Sequence, residues 1–251
     1  MTQANLNPRL SRISTLWSVL AQAHNGPADE ARAAQQSLWE RYGGAVRRYL
    51  RGAVHDPDAA ADLAQEFAVR FLSGKFRRVD PARGRFRDYV KGVLSHLISD
   101  FRRRQRALPP RLESDHPELA VEPPSLSEMD REFVASWRQE LLARCWTALA
   151  DHEQRTGQLF HTMLHFRAEH PDATSPQLAK KLGEQLGKPL TAMGVRQTLH
   201  RARAKFADLL LEEVMPSLSS PDFMVEELAD LGLLDYCRPA LRHAETVGGR
   251  Q

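Results

Sequence analysis

Apolar residues recur at three- and four-residue intervals along nearly the whole chain, the period of a helix that buries one face. No segment alternates apolar and polar positions as a half-buried strand would. Ile13, Leu16, Trp17 and Leu20 share one stripe and predict a short helix over 11–23. Pro27 suits the first turn of a second helix, whose apolar positions are Leu38, Trp39, Tyr42, Val46, Tyr49 and Leu50. Asp56 followed by Pro57 is a cap followed by a good first helical residue. The third helix then carries Leu63, Phe67 and Phe71, with Ala60 and Ala64 alongside. A fourth stripe runs through Phe86, Tyr89, Val90, Val93, Leu94, Leu97, Ile98 and Phe101.

The period stops twice. SGKFRRVDPARGRF, Ser73 to Phe86, combines glycine, proline, four arginines and a lysine and reads as a basic loop. Residues 107–130 hold five prolines and no helical period, and read as an extended linker. Helices resume near Arg131, with Phe133, Trp137, Leu141, Cys145, Trp146 and Leu149 on one face. Leu159, Phe160, Met163, Leu164 and Phe166 make another, ending at His170-Pro171.

From Ser175 to Val214 the pattern is helix, turn, helix. Ser175 is the expected cap, and Leu178, Leu182 and Leu186 are the buried face of the first helix. Gly187-Lys188-Pro189 breaks it. Thr191 caps the second helix, which buries Val195, Leu199, Ala202, Phe206 and Leu209. The acidic tail from Met215 shows a helical patch, FMVEELADLGLLDY.

The expected fold is all-α: two small helical domains joined by an extended linker. Residues 1–37 form an N-terminal helical extension, 38–106 the first domain, 107–130 the acidic linker, 131–214 the helix–turn–helix domain and 215–251 an acidic extension.

Composition adds charge segregation. The 251 residues carry a net charge of only +3. Yet residues 38–106 hold 16 basic and 8 acidic side chains, and 176–206 hold 7 and 1. Between them, 107–135 hold 2 basic and 7 acidic; after them, 207–251 hold 3 and 9. Two basic blocks on either side of an acidic stretch suggest two nucleic-acid-binding modules. No apolar run approaches the roughly 20 residues that span a bilayer. The N-terminus lacks a secretory signal. A cytoplasmic protein without membrane association is expected, with Cys145 and Cys237 as buried thiols.

Candidate chemistry is sparse. His161 and His165 have a metal-compatible spacing but no accompanying HExxH or second ligand pair. No phosphate-binding glycine loop or nucleophile elbow is present, and Gly43-Gly44 inside a helix suits close packing. The expectation is a protein that is not an enzyme and has no cofactor and no metal. One polar stripe is unusual. Asp62 and Glu66 lie four apart on the third helix and repel each other, with Gln65 beside them. Such a stripe is either a solvated face or a docking face for a basic partner.

Three stretches in order, DAAADLAQEF, VDPARGRF and RDYVKGVLSHLISDFRR, resemble region 2 of the bacterial RNA polymerase sigma factors of the extracytoplasmic-function type, within the sigma-70 family. A fourth, VRQTLHRAR over 195–203, resembles the recognition helix of their region 4. The resemblance implies a sigma factor that binds core RNA polymerase, recognises promoters and helps open the duplex in transcription initiation. Asp62, Gln65 and Glu66 would then dock on a coiled coil of the largest polymerase subunit, and the flap would be a second contact. Arg83, Arg85 and Phe86 would help hold a flipped base of the minus-ten element. Arg87, Lys91, Ser95 and His96 would line the single strand, and Arg102, Arg103, Arg104 and Arg106 would meet phosphates. Thr191, Arg196, Gln197, His200, Arg201, Arg203 and Lys205 would hold the duplex minus-thirty-five element, with Gln197 the best base-edge reader. An anti-sigma factor is a candidate further partner.

The chain departs from the family pattern in places. His96 stands where Asn is usual, Thr198 where Arg is common, and Tyr89 where Trp is usual. Rival readings are a stand-alone helix–turn–helix regulator and a sigma-like module that sequesters a protein partner. The Asp62–Glu66 stripe discriminates against the first. The joint presence of the 83–86 loop and the 102–106 arginines discriminates against the second.

Overall fold

The computed structural model describes residues 16–54, 56–72, 85–107 and 126–248. The described residues form ten α-helices and two short 3₁₀ turns, with no strand among them. They fall into two units. One comprises described residues within 14–140 together with 216–231; the other comprises 141–215 with the described residues from 232 onward.

In the first unit, α1 (Leu16–Asn25), α2 (Ala28–Val54) and α3 (Pro57–Leu72) follow one another with short breaks. Residues 11–15 of the expected first helix, Ile13 among them, lie outside the described residues. Leu16 and Leu20 are buried as the stripe requires. The His24 ring nitrogen Nε2 sits 2.7 Å from the Phe71 carbonyl, tying α1 to the end of α3. Asp56 caps α3 as its sequence indicates: its Oδ1 accepts from the backbone N–H groups of Asp58 and Ala59 at 3.0 and 3.1 Å. That satisfies donors that have no partner inside the helix.

α4 (Phe86–Ala107) and the first half of α5 (Leu126–Thr156) complete the core. Helix α5 begins before the expected end of the linker, and Met129 in its first turn is buried. Phe86, Tyr42 and Trp137 form an aromatic cluster, with Tyr42 stacked on Trp137 at 4.7 Å and tilted to Phe86 at 5.2 Å. Gly44 lets α2 approach α5: a Cβ there would lie 2.4 Å from the Glu140 carboxylate, which pairs with Arg48 at 2.8 Å. The expected division at residue 37 runs through the middle of α2, which is continuous because Ala34 and Leu38 belong to one buried stripe.

Residues 216–231 also belong to this unit. They comprise the end of a 3₁₀ turn, a second 3₁₀ turn at Pro221–Phe223 and α9 (Met224–Asp230). Met224, Leu228 and Leu231 are buried, and Leu218 pairs its backbone with Arg85.

The second unit contains the rest of α5, α6 (Phe160–Glu169), α7 (Ser175–Leu186), α8 (Ala192–Val214) and α10 (Leu234–Gly248). Helix α8 is central, packed by α6, α7 and α10. The start of α7 differs by one residue from expectation. Thr174, not Ser175, is its cap residue, and Gln177 Oε1 accepts from the Thr174 backbone N–H at 2.7 Å. Gly187 ends α7 in the left-handed region, φ 63°, where a side chain would be strained. The connection to α8 is therefore residues 187–191. Cys145 and Cys237 are free and buried.

Candidate nucleic-acid interface

Helix α3 turns Leu63, Ala64, Phe67 and Phe71 into the core. Its opposite side carries Asp62 and Gln65, both exposed, and Glu66, half-buried. Glu66 is bridged by Arg70 one turn on and approached at 3.5 Å by Arg104 of α4. Asp62 has no ion-pair partner among the described residues. Val69, seven positions after Asp62, is 57 % exposed and extends the same stripe. The apolar end of this face was not singled out from sequence. Its signal was the i, i+7 spacing, hidden because the buried stripe accounts for most apolar residues of the helix.

The face of α4 expected to line a single strand divides in two. At its start, Arg85 donates from Nε to Asp88 at 2.8 Å, closing the first turn. Its Nη1 donates to Asp230 of α9 at 2.6 Å, and Glu226 and Glu227 lie within 3.6 Å. Arg87 donates from Nε to Glu227 Oε1 at 2.8 Å, and from Nη2 to Glu227 Oε2 at 2.9 Å and Asp230 Oδ2 at 3.1 Å. The side chains of Arg87 and Glu227 are 3 % and 1 % exposed. Burial alone would lower the pKa of Arg87, but hydrogen bonding and charge from Glu227 hold it above its ordinary value. Burial raises the pKa of Asp230, but Arg85 and Arg87 together pull it below the carboxylate norm.

The periodicity of α4 placed Arg87 on the outward face. Residues 216–231 cover that face, so Arg87 is enclosed. Phe86 is fully buried among Tyr42, Phe71 and Trp137. Tyr89 is half-buried against Phe71 and Phe86, and burial pushes its phenol up to about 12.

Farther along α4, Lys91 pairs with Asp130 of α5 at 3.0 Å. Ser95 is half-buried and His96 exposed. The cationic end is not uniform. Arg102 donates from Nη2 to the Ala53 carbonyl at 3.2 Å, at the last turn of α2, and its Nη1 lies 3.7 Å from the Met129 sulfur. Arg103 pairs with Asp100 at 2.9 Å, and Arg104 reaches the Asp100 carbonyl at 3.4 Å. Arg106 is exposed. Ser95, Arg102, Arg103, Arg106 and Met129 line one cleft of about 440 Å³. Arg83 lies outside the described residues.

In the second unit, Thr191 Oγ1 accepts from the Gly194 N–H at 3.0 Å and starts α8 as expected. Val195, Leu199, Ala202 and Phe206 anchor the inner face. Arg196, Gln197, His200, Arg201 and Arg203 are exposed, Lys205 is half-buried, and Met193, unremarked from sequence, is 62 % exposed. Arg203 sits at the edge of this set. Its carbonyl accepts from the Tyr236 hydroxyl at 3.3 Å, and it borders an apolar cavity of about 390 Å³ with Trp146 and Phe206. His161 and His165 flank the edge of Trp146. Among the described residues no cluster of three His, Cys, Asp or Glu side chains could hold a metal ion.

Residues 38–108 match the family model described as Sigma-70 region 2. The matched segment takes in most of α2, all of α3 and α4, and with them every residue from Asp62 to Arg106 discussed above. No curated protein and no solved structure matches the chain. The match covers less than a third of the chain, and its model describes a segment of the sigma-70 factors of transcription initiation. Region 2 is the part of such proteins that binds core RNA polymerase and melts promoter DNA. Among the described residues no helix is long and apolar enough to cross a membrane.

Proposed function

We propose that this chain is a sigma factor of the extracytoplasmic-function type, acting in the cytoplasm by binding rather than by catalysis. The observation that carries the reading is the stripe Asp62, Gln65, Glu66 and Val69 on α3. It is an acid–amide–aliphatic face turned to solvent within the segment that matches region 2. A solvated face needs no exposed valine, and an interface core with a charged rim has that composition. The stripe docks on a basic coiled coil of the largest polymerase subunit.

The remaining surfaces follow. The cleft at Ser95, Arg102, Arg103 and Arg106 takes the backbone of the opened strand, where cations supply affinity without sequence choice. Helices α7 and α8 act as a region 4 helix–turn–helix. Arg196, Gln197, His200 and Arg201 face the major groove of the upstream element, with Gln197 reading a base edge and the arginines holding phosphates.

The test is Asp62→Lys combined with Gln65→Lys, which leaves the Glu66–Arg70 bridge in place. Affinity for purified bacterial core polymerase falls by about 2–5 kcal/mol, the range for losing charge pairs at an interface. Circular dichroism stays unchanged because both positions are exposed. Unaltered affinity would exclude α3 as the docking face.

A further inference from the structure

Arg85 and Arg87 stand at the start of α4, whose far end carries the proposed strand cleft, and both are occupied by carboxylates from a segment about 140 residues later in the chain. A carboxylate presents two coplanar oxygens to a guanidinium fork, and a phosphodiester presents two oxygens of similar spread, so one anion can replace the other on the same arginine. Among the described residues the cluster holds four carboxylates, Asp88, Glu226, Glu227 and Asp230, against two guanidiniums. The excess is negative and repels an approaching phosphate.

We propose that residues 216–231 are an autoinhibitory lid, in which Glu227 and Asp230 stand where strand phosphates bind Arg85 and Arg87, so that strand capture at this end of α4 requires the lid to leave. The inference rests on the sigma-factor reading of α4.

The architecture of the lid suits displacement. It is bounded by Met215 and Gly232, and the helices before and after it, α8 and α10, pack within the other unit. Gly232 has φ 66°, a conformation that ends α9 abruptly. The lid is held on its apolar side by Met224, Leu228 and Leu231, so it is closed in the free chain. The ionic side contributes less to closure than its geometry suggests. A buried ion pair roughly recovers its own desolvation cost, and exchanging one anion for another leaves no charge unpaired.

The experiment uses the full chain and a fluorescein-labelled, mixed-sequence single-stranded 20-nucleotide DNA as probe. Two variants open the lid by different routes: Glu227→Gln with Asp230→Asn removes the mimicking charges, and Leu228→Ala loosens the apolar anchor. Each binds the probe about tenfold more tightly than the unmodified chain at low salt. The salt dependence steepens by about 0.7 per newly met phosphate, about 1.4 for two arginines. In the unmodified chain, saturating probe raises amide hydrogen exchange in 221–231, a readout that needs no variant. Unchanged probe affinity in variants whose melting shows them folded, or exchange in 221–231 that stays constant or falls on binding, would overturn the lid. Core polymerase binding by the same proteins separates the two ideas: its absence in the unmodified chain removes the sigma-factor reading, whereas its presence with unchanged probe affinity removes only the lid.

Discussion

Arg87 of α4 and Glu227 of α9 meet as a two-point fork, Nε to Oε1 at 2.8 Å and Nη2 to Oε2 at 2.9 Å, although 140 residues separate them in sequence. Both side chains are shut off from solvent. Removing one partner strands the other charge in the interior, whereas removing both leaves an apolar contact. Glu227→Ala is expected to cost about 3 kcal/mol, the low end of the 3–5 kcal/mol range for breaking a buried pair, because Asp230 keeps one bond to Arg87. Arg87→Met with Glu227→Leu should cost much less than the sum of the single changes. A double-mutant cycle by urea unfolding reads the difference, and strict additivity would show that the pair is not coupled.

The arginines at the end of α4 divide by role. Arg102 is fixed on the Ala53 carbonyl, so Arg102→Ala should lose about 1.5–3 kcal/mol of stability, the range for a hydrogen bond to a charged group. Arg103 is 80 % exposed, and Arg106 is exposed as well. Replacing both by Ala should change stability by less than about 0.5 kcal/mol. The same change should weaken single-strand binding for every sequence and flatten its salt slope by about 0.7 per lost phosphate. Thermal melting and salt titrations on the two variants check the division; reversed behaviour would exchange the roles.

On α8, Gln197 is the exposed side chain suited to a bidentate contact with adenine. Gln197→Ala should relax preference at one upstream promoter position by about 1–3 kcal/mol. Arg196→Ala should weaken binding evenly across sequences. Selection of randomised upstream elements by the polymerase complex distinguishes them, and an unaltered preference would remove Gln197 as a reader.

Local patterns carried most of the helices. The apolar stripes of α2, α4, α5 and α8 are the buried faces observed, and the Asp56 cap sits where its sequence placed it, because period and capping are properties of a few neighbouring residues. The start of α7 shifted to Thr174 because two adjacent hydroxyl residues compete for one cap, and only the reach of Gln177 selects between them. The enclosure of Arg87 was not legible. Helical period says which way a side chain points, not what lies there, and its partners belong to a segment about 140 residues later in the chain. Lys91 illustrates the same limit, since the proline-rich stretch puts Asp130 at the end of a linker, whereas it lies in the first turns of α5. The Asp62–Glu66 stripe was legible as a polar face, but its continuation to Val69 became visible only when the opposite stripe was seen to be complete.

The most direct measurement is run-off transcription with purified chain, bacterial core polymerase and fragments of the source genome. A sigma factor produces discrete transcripts that depend on both proteins and vanish when Asp62 and Gln65 are changed to Lys. Tight duplex binding by the chain alone, with no polymerase binding and no initiated transcript, would contradict it and identify a stand-alone regulator that uses α8 by itself.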